Sequence, residues 1–507
     1  MTEYSIIPQP CSIKYGNGVF QCYGIPQITG EAFLTEAEVF SSQLRKTFGK
    51  EAQSPACITL LRTEGYSDEA YKLEILHDEI RISASDGAGI FRGLQVLRQL
   101  ILSGYTCEES SNEISSTEAL SIPCGLIEDK PRYKWRGFML DCSRYFYSVG
   151  FIKHLLDAIS LQHINILHWH LTDDQGWRLP VKQYPLLTEV GGKRYDSRMD
   201  CYMSGFYTEE DIRGIIAYAA ARHIEVVPEV DLPGHASAIL EAYPMLGCTG
   251  GPYRVEERYG IFEDVLCAGN DGIFLLAEAV FDTLCNLFPS KYIHMGGDEV
   301  LFNRWEACPK CKKRLAELGV EKPAQMQSWI TSRLVEMLRQ RGKIPIGWDE
   351  ILDNASEQFP VSKDVIIMSW RSQKGGTLAA SLGCRVIMAP QDHGCYLNYR
   401  HTSDPEEIGR HWDWGIGTIT QAYTMEPVTP EMSEAGASLV LGGQGNLWAE
   451  IICSGKIAEY MIFPRLCAIS ETLWSKEKNL GDFVKRLEVH QRRLDRLGLL
   501  QYRGPIE

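Results

Sequence analysis

The sequence predicts an α/β protein: a (β/α)8 TIM barrel, which we expect to be the catalytic domain, preceded by a small α+β domain. Two observations carry this prediction. From about residue 131, short apolar segments alternate with amphipathic helical patterns, which is typical of a buried parallel sheet. Eight such segments occur, the number that closes a barrel, although a doubly wound sheet fits the same count.

Length and composition set the broad class. The 507 residues suit a barrel with a smaller partner, and we expect an α+β domain at 1–130, the barrel at 131–480 and a C-terminal helical extension packed on the barrel at 481–507. No apolar run is long enough to span a membrane. The net charge of −15 argues against nucleic acid as a partner. The first residues lack the pattern of a signal peptide, so we expect a cytoplasmic protein; oligomeric state is left open.

The first 130 residues carry the patterns of a mixed domain. "YKLEILHDEIRISAS" (71–85) alternates apolar and polar positions on both sides of His77-Asp78, which predicts a β-hairpin. "GIFRGLQVLRQLI" (89–101) then places apolar residues at helical spacing.

Eight segments are candidate barrel strands because they are short, almost wholly apolar and separated by helical patterns. They are "WRGFMLD" (135–141), "NILHWHL" (165–171), "EVVPEVD" (225–231), "YIHMGGDE" (292–299), "IPIGWDE" (344–350), "VIIMSW" (365–370), "RVIMAP" (385–390) and "SLVLGGQGNLW" (438–448).

Two of the intervening helices have clear signatures. "SVGFIKHLLDAISLQH" (148–163) forms one apolar stripe of Phe151, Ile152, Leu155, Leu156 and Ile159. "TEEDIRGIIAYAAARH" (208–223) begins with Thr208 and Asp211 at the spacing of a capping box and is expected to bury Ile212, Ile215 and Ile216.

Acids and tryptophans gather where the predicted strands end. The carboxyl ends of barrel strands open into one mouth, which is where barrel enzymes carry their chemistry. The residues at these ends are Asp141, His170 with Asp173, Glu229 with Asp231, Asp298 with Glu299, Trp348 with Asp349 and Glu350, Trp370, and Trp448. One acid closing one strand would mean little, whereas polar or aromatic residues at seven of eight strands predict a functional site.

Carboxylates ringed by tryptophans favour a carbohydrate ligand, because indoles stack on sugar faces and carboxylates accept from hydroxyls. Cleavage of a glycosidic bond needs an acid at the leaving oxygen and a group that stabilises the cationic centre. Asp298 and Glu299 are chain neighbours and cannot lie on opposite sides of that bond. The nucleophile must therefore come from another strand or from the substrate. Repulsion within the pair is expected to raise one pKa, so that one acid stays protonated near neutral pH.

The motifs resemble those of family 20 of the glycoside hydrolases, the β-N-acetylhexosaminidases. The resemblance covers roughly residues 130 to 480 with order and spacing preserved, and the segment before it resembles that family's usual N-terminal domain. The motifs are "HMGGDEV" (294–300), "RGFMLDCSRYF" (136–146), "LHWHLTDDQGWRLP" (167–180), "PEVDLPGH" (228–235), "GWDEIL" (347–352), "GGQGNLWAE" (442–450) and "FPRLCAISETLW" (463–474).

The resemblance implies a retaining exo-enzyme that removes terminal β-linked GlcNAc or GalNAc, with the substrate's own 2-acetamido oxygen as nucleophile and no metal or organic cofactor. It implies that Glu299 is the general acid and then base, and that Asp298 orients the acetamido group and stabilises an oxazolinium intermediate. The remaining implied substrate-site residues are Arg144 and Glu450 on the outer sugar hydroxyls, Asp173 and His235 behind the acid, Tyr396 on the acetamido oxygen, and Trp348, Trp370 and Trp448 lining the pocket.

One position departs from the family pattern. Many members have aspartate two residues after the tyrosine, where this chain has Asn398. An amide still forms hydrogen bonds but lacks charge, so it would bind the outer hydroxyls without charge-assisted strength. The preference between GlcNAc and GalNAc is left open. Trp412 and Trp414 are compatible with either an outer subsite or simple packing.

Two other functions fit parts of the pattern. A metal-dependent barrel hydrolase would use His168, His170, His235 and His294 beside an aspartate. A barrel that binds amino sugars without cleaving them would not need both Asp298 and Glu299.

The 16 cysteines are scattered and are expected to be free thiols. The one C-x-x-C pair, Cys308 and Cys311, has no second pair after it, so we do not expect zinc there, and its role is left open.

Overall fold

The N-terminal part of the chain forms a six-stranded mixed sheet with two helices. The computed structural model describes residues 4–29, 32–48, 53–104, 119–409 and 415–506. Its first elements are β1 (Ser12–Tyr23), β2 (Ile25–Thr29), α1 (Leu34–Phe48), β3 (Gln53–Arg62), β4 (Tyr71–Ile75), β5 (Glu79–Ala84), α2 (Gly87–Gly104) and β6 (Ala119–Asp129). The strand order is β1-β6-β4-β5-β3-β2. The predicted hairpin is confirmed as β4 and β5, with Leu73 opposite Ile82, and the predicted helix is α2.

Eight parallel strands then close into a barrel, in the order β13-β14-β15-β16-β17-β18-β7-β8. This confirms the predicted (β/α)8 barrel and excludes the open doubly wound sheet. In chain order the strands are β7 (Trp135–Asp141), β8 (Ile166–His170), β9 (Thr172–Asp173), β10 (Gly176–Trp177), β11 (Lys193–Asp196), β12 (Cys201–Ser204), β13 (Glu225–Glu229), β14 (Tyr292–His294), β15 (Ile344–Trp348), β16 (Ile366–Ser369), β17 (Arg385–Met388) and β18 (Val440–Leu447). Strands β9–β12 form two small hairpins outside the barrel.

Helices follow most barrel strands. They are α3 (Val149–Ser160), α4 (Leu186–Glu189), α5 (Glu209–Ala220), α6 (Ser237–Ala242), α7 (Gly272–Leu287), α8 (Asn303–Ala307), α9 (Pro309–Leu318), α10 (Pro323–Gln340), α11 (Gln373–Ser381), α12 (Ile419–Thr424), α13 (Glu434–Ala437), α14 (Gly455–Ile462), α15 (Arg465–Trp474) and α16 (Leu480–Arg496). Short 3-10 helices lie at Pro244–Leu246, Asp349–Leu352 and Gln391–His393.

The two predicted helix signatures hold with small corrections. The Thr208 side chain accepts from the Asp211 N–H and the Asp211 carboxylate accepts from the Thr208 N–H, which is the predicted capping box of α5. Phe151 and Ile216 are half-buried rather than buried, because each lies at the edge of its helix's apolar stripe.

The fourth barrel strand is shorter than predicted. Regular pairing ends at His294, and the chain then turns through Gly296 and Gly297, both with positive φ. A Cβ on Gly296 would lie 1.7 Å from Oδ1 of Asp231, so the backbone must pass this carboxylate without a side chain.

The N-terminal sheet and the barrel are joined by buried polar contacts. Glu69 pairs with Arg136 at 2.5 Å and with Arg92 at 2.9 Å. The Trp474 indole donates to Asp129 at 2.9 Å, and Arg493 on α16 donates to Gln99 on α2 at 3.1 Å. The division at residues 130 and 480 stays a prediction. Within the described residues, no helix is both long and apolar enough to cross a lipid bilayer.

Candidate active site

The predicted site residues meet at the carboxyl ends of the barrel strands. Each strand contributes at least one of them, either at its last residue or in the loop that follows. In strand order they are Arg144, Asp173, His235, Asp298 with Glu299, Trp348, Trp370, Tyr396, and Trp448 with Glu450. The contacts described below bring all ten together.

The turn after β14, which carries the two neighbouring acids, is held by hydrogen bonds of its backbone. The Gly297 N–H donates to Asp231 at 2.9 Å, and its carbonyl accepts from Gln327 at 2.9 Å. Glu299 has a φ of +50°. This backbone conformation costs energy for any residue other than glycine, so surrounding contacts must hold it. One such contact is the Glu299 N–H donating to Glu350 at 3.3 Å. The backbone is therefore fixed on both sides of Asp298.

His235 faces both acids from the end of β13. Its Nε2 lies 3.5 Å from Oε2 of Glu299 and 3.9 Å from Oδ2 of Asp298. Its Nδ1 lies 3.2 Å from Asp173 and 2.9 Å from Asp174. Burial lowers the pKa of the imidazole, but Asp173, Asp174 and Glu299 outweigh it and raise the pKa well above the ordinary value. A positively charged ring thus stands behind Glu299.

Asp174 is a site residue that the sequence interpretation missed. It is buried, and besides His235 it accepts from the backbone N–H and the hydroxyl of Ser237 at 3.0 and 2.6 Å. The motif "TDDQG" does not show which of its two acids lies nearer to His235. The turn between β9 and β10 determines this.

Asp298 is almost wholly buried and has a partner that was not predicted, Asp231. Burial and the neighbouring Asp231 carboxylate raise the pKa of Asp298 well above its ordinary value, while His235 opposes the shift. Mutual repulsion was expected to raise the pKa of one acid of the pair. The pKa that is raised is that of Asp298, and burial and Asp231 are its main causes. Oδ1 of Asp298 is buried without a hydrogen-bond partner among the described residues. Buried carboxylate oxygens normally accept a hydrogen bond, so this oxygen is suited to accept one from a ligand.

Arg144 is held rigidly at the end of β7. Its guanidinium donates to Asp141 at 3.1 Å and to Gln175 at 2.9 Å, and it pairs with Asp173 at 2.8 Å. The Arg144 guanidinium also lies over the Trp448 ring at 5.1 Å from its centroid. A fixed planar donor of this kind suits a sugar hydroxyl better than a flexible lysine would.

Four aromatic rings form one wall of the site. Trp370 and Tyr396 are stacked with centroids 6.0 Å apart, and Trp448 lies 6.2 Å from Tyr396 and 5.8 Å from Trp348. Trp348 is fully buried and its indole donates to Glu229 at 2.9 Å, so it forms the floor. Trp370 is partly exposed and available to a ligand.

Glu350, an acid predicted at a strand end, was not among the residues predicted to contact the substrate. It accepts from the Trp370 indole at 3.0 Å as well as from the backbone of Glu299. Burial raises the pKa of Glu350 to about 7, with Glu299 also raising it and Trp370 and Arg371 opposing. The GWDE motif marked this residue at a strand end, but its contact with the acidic pair depends on the barrel being closed.

Asn398 and Glu450 form the outer edge of the site. The Asn398 amide donates to Oε2 of Glu450 at 3.2 Å and is fully buried. Asparagine therefore has a role at this position: its amide donates a hydrogen bond to a carboxylate, which an ionised aspartate cannot do. Trp412 and Trp414, the other tryptophans considered for an outer subsite, lie outside the described residues.

The histidines considered as metal ligands surround a carboxylate instead. Glu229 lies 3.0 Å from His168, 2.5 Å from His170 and 3.0 Å from His294, all of them fully buried. Burial lowers the pKa of His170, but Glu229 and Asp173 outweigh it and raise the pKa to about 10. Burial lowers the pKa of His168 to about 4, so this layer below the aromatic floor combines a neutral ring with the charged ring of His170. His235 belongs to the acidic pair. His168, Glu229 and His294 could together hold a metal ion, but all three are fully buried, whereas a catalytic metal keeps one position open to water or substrate.

Comparisons with protein families agree with this geometry. Residues 133–477 match the model described as the catalytic domain of glycosyl hydrolase family 20, and residues 3–130 match domain 2 of the same family.

Individual relatives point the same way. A β-hexosaminidase of Porphyromonas gingivalis is 38% identical over 87% of this chain, which spans 55% of that relative's length. A β-hexosaminidase of Vibrio furnissii is 33% identical over 92% of this chain and 76% of the relative. The crystal structure of a Vibrio harveyi exo β-N-acetylglucosaminidase in complex with N-acetylglucosamine superposes with a TM-score of 0.87 at 29% identity, covering 99% of this chain and 78% of that one.

Proposed function

The chain belongs to glycosyl hydrolase family 20, and from this premise we propose that it is a retaining exo-β-N-acetylhexosaminidase. It removes terminal, non-reducing β-linked GlcNAc or GalNAc by substrate-assisted catalysis through an oxazolinium intermediate. The observation that carries the proposal is the contrast between two chain neighbours: Glu299 is the nearer to the His235 cation, while Asp298 carries a buried acceptor oxygen that has no partner in the described part of the chain.

In the first half-reaction, the acetamido carbonyl oxygen of the substrate attacks the anomeric carbon. The bond from that carbon to the aglycone oxygen breaks, and Glu299 gives its proton to the leaving oxygen. An internal nucleophile has the advantage of proximity, which is worth roughly 7–11 kcal/mol in favourable cases. In the second half-reaction, Glu299 takes a proton from water as the water attacks the same carbon and opens the oxazolinium ring. Two inversions give net retention.

Asp298 acts on the acetamido group. Its unpartnered Oδ1 accepts the acetamido N–H, which turns the carbonyl oxygen toward the anomeric carbon. The positive charge that develops on the ring stabilises the ionised carboxylate of Asp298 and so opposes the burial and the Asp231 charge that raise its pKa. The strength of this contact therefore grows toward the transition state, which is what accelerates a reaction.

The rest of the site defines one sugar unit. Tyr396, Trp370, Trp448 and Trp348 provide a wall for the acetamido methyl and the sugar face. Arg144 and Glu450 interact at the far end of the site. Burial lowers the pKa of Arg144, but the carboxylates of Asp173, Asp141 and Glu450 outweigh burial and raise it. We infer exo action because these charged groups close one end of the site and would bind the terminal hydroxyls of a single sugar.

The proposal is tested with p-nitrophenyl β-glycosides of GlcNAc and GalNAc and of glucose as the control without an acetamido group. We expect turnover of one or both amino sugars and none of the glucoside, with strong inhibition by a thiazoline that mimics the oxazolinium ring. Absence of turnover with retained GlcNAc binding would instead identify a non-catalytic sugar-binding barrel. Turnover abolished by EDTA and restored by a metal would identify a metal-dependent hydrolase.

A further inference from the structure

Four cysteine thiols from three parts of the chain converge outside the active site. Cys308 and Cys311 lie at the start of α9, and Cys248 and Cys267 come from the long connection that precedes α7. Their sulfur atoms all lie within 4.8 Å of one another. Three of these cysteines are buried and Cys248 is half-buried. A second C-x-x-C pair is therefore not needed, because two single cysteines complete the set.

The spacing of the sulfurs fits one tetrahedral ion. Zinc binds thiolates at about 2.3 Å, which places the corners of a tetrahedron about 3.8 Å apart. The observed separations are 3.7 Å between Cys248 and Cys311, 3.5 Å between Cys267 and Cys311, and 3.9 Å between Cys267 and Cys308. A disulfide needs sulfur atoms about 2.05 Å apart, so none of these pairs is bonded, and all four cysteines are free.

Two of the four thiols lie at a helix N-terminus. Cys308 is the N-cap of α9 and Cys311 lies in its first turn, where the helix dipole stabilises negative charge. Gly269 must be glycine, because a Cβ there would lie 2.2 Å from the backbone of Lys310.

The cluster connects two segments that position catalytic groups. The Cys267 N–H donates to Leu246 at 2.8 Å, and the Leu266 N–H donates at 3.0 Å to Pro233, two residues before His235. On the other side, the Trp305 indole on α8, shortly after Glu299, donates to the Leu266 carbonyl at 2.9 Å. The same connection reaches the partners of His235 and Arg144: the Glu256 N–H donates to the Asp174 carbonyl, and the Arg258 carbonyl accepts from Gln175.

We propose that Cys248, Cys267, Cys308 and Cys311 bind one Zn²⁺ as a closed structural site that fixes the 247–268 connection against α8 and α9. Four thiols lose their protons to solvent as the ion binds, and four sulfur–zinc bonds form without oxidation or reduction. All four positions are taken by protein sulfur, so the ion has no place for water or substrate and takes no part in glycoside cleavage.

The test is the metal content of the full-length protein, purified without chelator and dialysed against metal-free buffer. Inductively coupled plasma mass spectrometry is expected to find about one Zn²⁺ per chain. The double variant Cys308→Ser/Cys311→Ser is expected to lose it. The control Cys285→Ser removes a half-buried thiol on α7 outside the cluster and is expected to retain the wild-type zinc content.

A second measurement keeps the test decisive if the double variant fails to fold. Wild-type protein produced with Co²⁺ in place of zinc is expected to show the sulfur-to-cobalt charge-transfer and visible bands of a tetrahedral tetrathiolate site. The proposal is overturned if the wild-type protein contains no metal and its four thiols are alkylated without denaturant. A disulfide among the four by peptide mass spectrometry, or stoichiometric iron instead of zinc, would overturn it as well. None of these outcomes depends on glycosidase activity.

Discussion

The imidazole of His235 faces Glu299, with Nε2 3.5 Å from Oε2, while its other nitrogen is held by Asp173 and Asp174. Asp298, the preceding residue, lies 3.9 Å from the same Nε2 nitrogen and also interacts with Asp231. The two adjacent acids thus share His235, but only Asp298 has a second carboxylate beside it that raises its pKa. This difference is the physical basis for giving one the proton transfer and the other the acetamido group.

Replacing Glu299 by glutamine should remove the proton donor and leave the fold intact. We expect kcat for p-nitrophenyl β-GlcNAc to fall by about 10²–10⁴-fold, the usual contribution of general acid–base catalysis. Substrates with a better leaving group, such as the 2,4-dinitrophenyl glycoside, should lose less because they need less protonation. Glu263→Gln, at an exposed glutamate near Arg304, is the control and should keep wild-type kcat. Equal losses for all leaving groups would contradict the role of Glu299.

Replacing Asp298 by asparagine should damage the step that forms the oxazolinium ring. The amide can fill the same space but cannot stabilise positive charge, so we expect kcat to fall by about 10²–10³-fold. The thiazoline should lose far more affinity than the product GlcNAc, since only the former resembles the charged intermediate. Steady-state kinetics and inhibitor titration measure both effects. Near-normal turnover would remove Asp298 from the mechanism.

The raised pKa of Glu350 should make the stability of the protein depend on pH. Burial moves this pKa from 4.5 to about 7, so the folded protein holds the proton more tightly than the unfolded chain does. The stabilisation is complete below pH 4.5 and is lost as the pH rises to about 7, a difference of roughly 3 kcal/mol. Melting temperatures of Glu350→Gln should therefore vary less across this window than those of wild type. Glu357→Gln, exposed on the same connection, should follow wild type; a Glu350→Gln curve parallel to wild type would refute the assignment.

Replacing Asn398 by aspartate should weaken binding of the terminal sugar. The change removes the donor to Glu450 and sets two carboxylates within about hydrogen-bond distance, which costs roughly 1–3 kcal/mol. We expect KM for the GlcNAc substrate to rise about tenfold at neutral pH, and less at acid pH, where one of the two carboxyls is protonated. Kinetics at two pH values check this. A KM unchanged at neutral pH would show that the Asn398–Glu450 contact does not support substrate binding.

Much of the fold is predictable because apolar barrel strands and amphipathic helices differ plainly in period. All eight candidate segments contain the barrel strands of the structure, and the resemblance to family 20 is confirmed by the matching family models. The strand before the acidic pair ends early because Gly296 must pass Asp231, a contact between distant parts of the chain.

Contacts between distant parts of the chain also explain why some site residues were not predicted. Asp174, Asp231 and Glu350 act through contacts that exist only after the barrel closes, and no local pattern distinguishes them from other acids at strand ends. The four-cysteine cluster joins the Cys308–Cys311 pair to two single cysteines that lie 41 to 63 positions earlier in the chain, so a search for paired C-x-x-C motifs passes over it. Local motifs locate the site, and tertiary contacts decide the partners within it.

The central claim is that the acetamido oxygen of the substrate is the nucleophile. It is tested most directly with p-nitrophenyl β-glucosaminides whose N-acyl group is acetyl, fluoroacetyl, difluoroacetyl or trifluoroacetyl. Each fluorine withdraws electrons from the carbonyl oxygen, so the account predicts that kcat/KM falls steeply and progressively along the series. A flat response, or a covalent glycosyl bond to a carboxylate of the protein found by mass spectrometry, would contradict it.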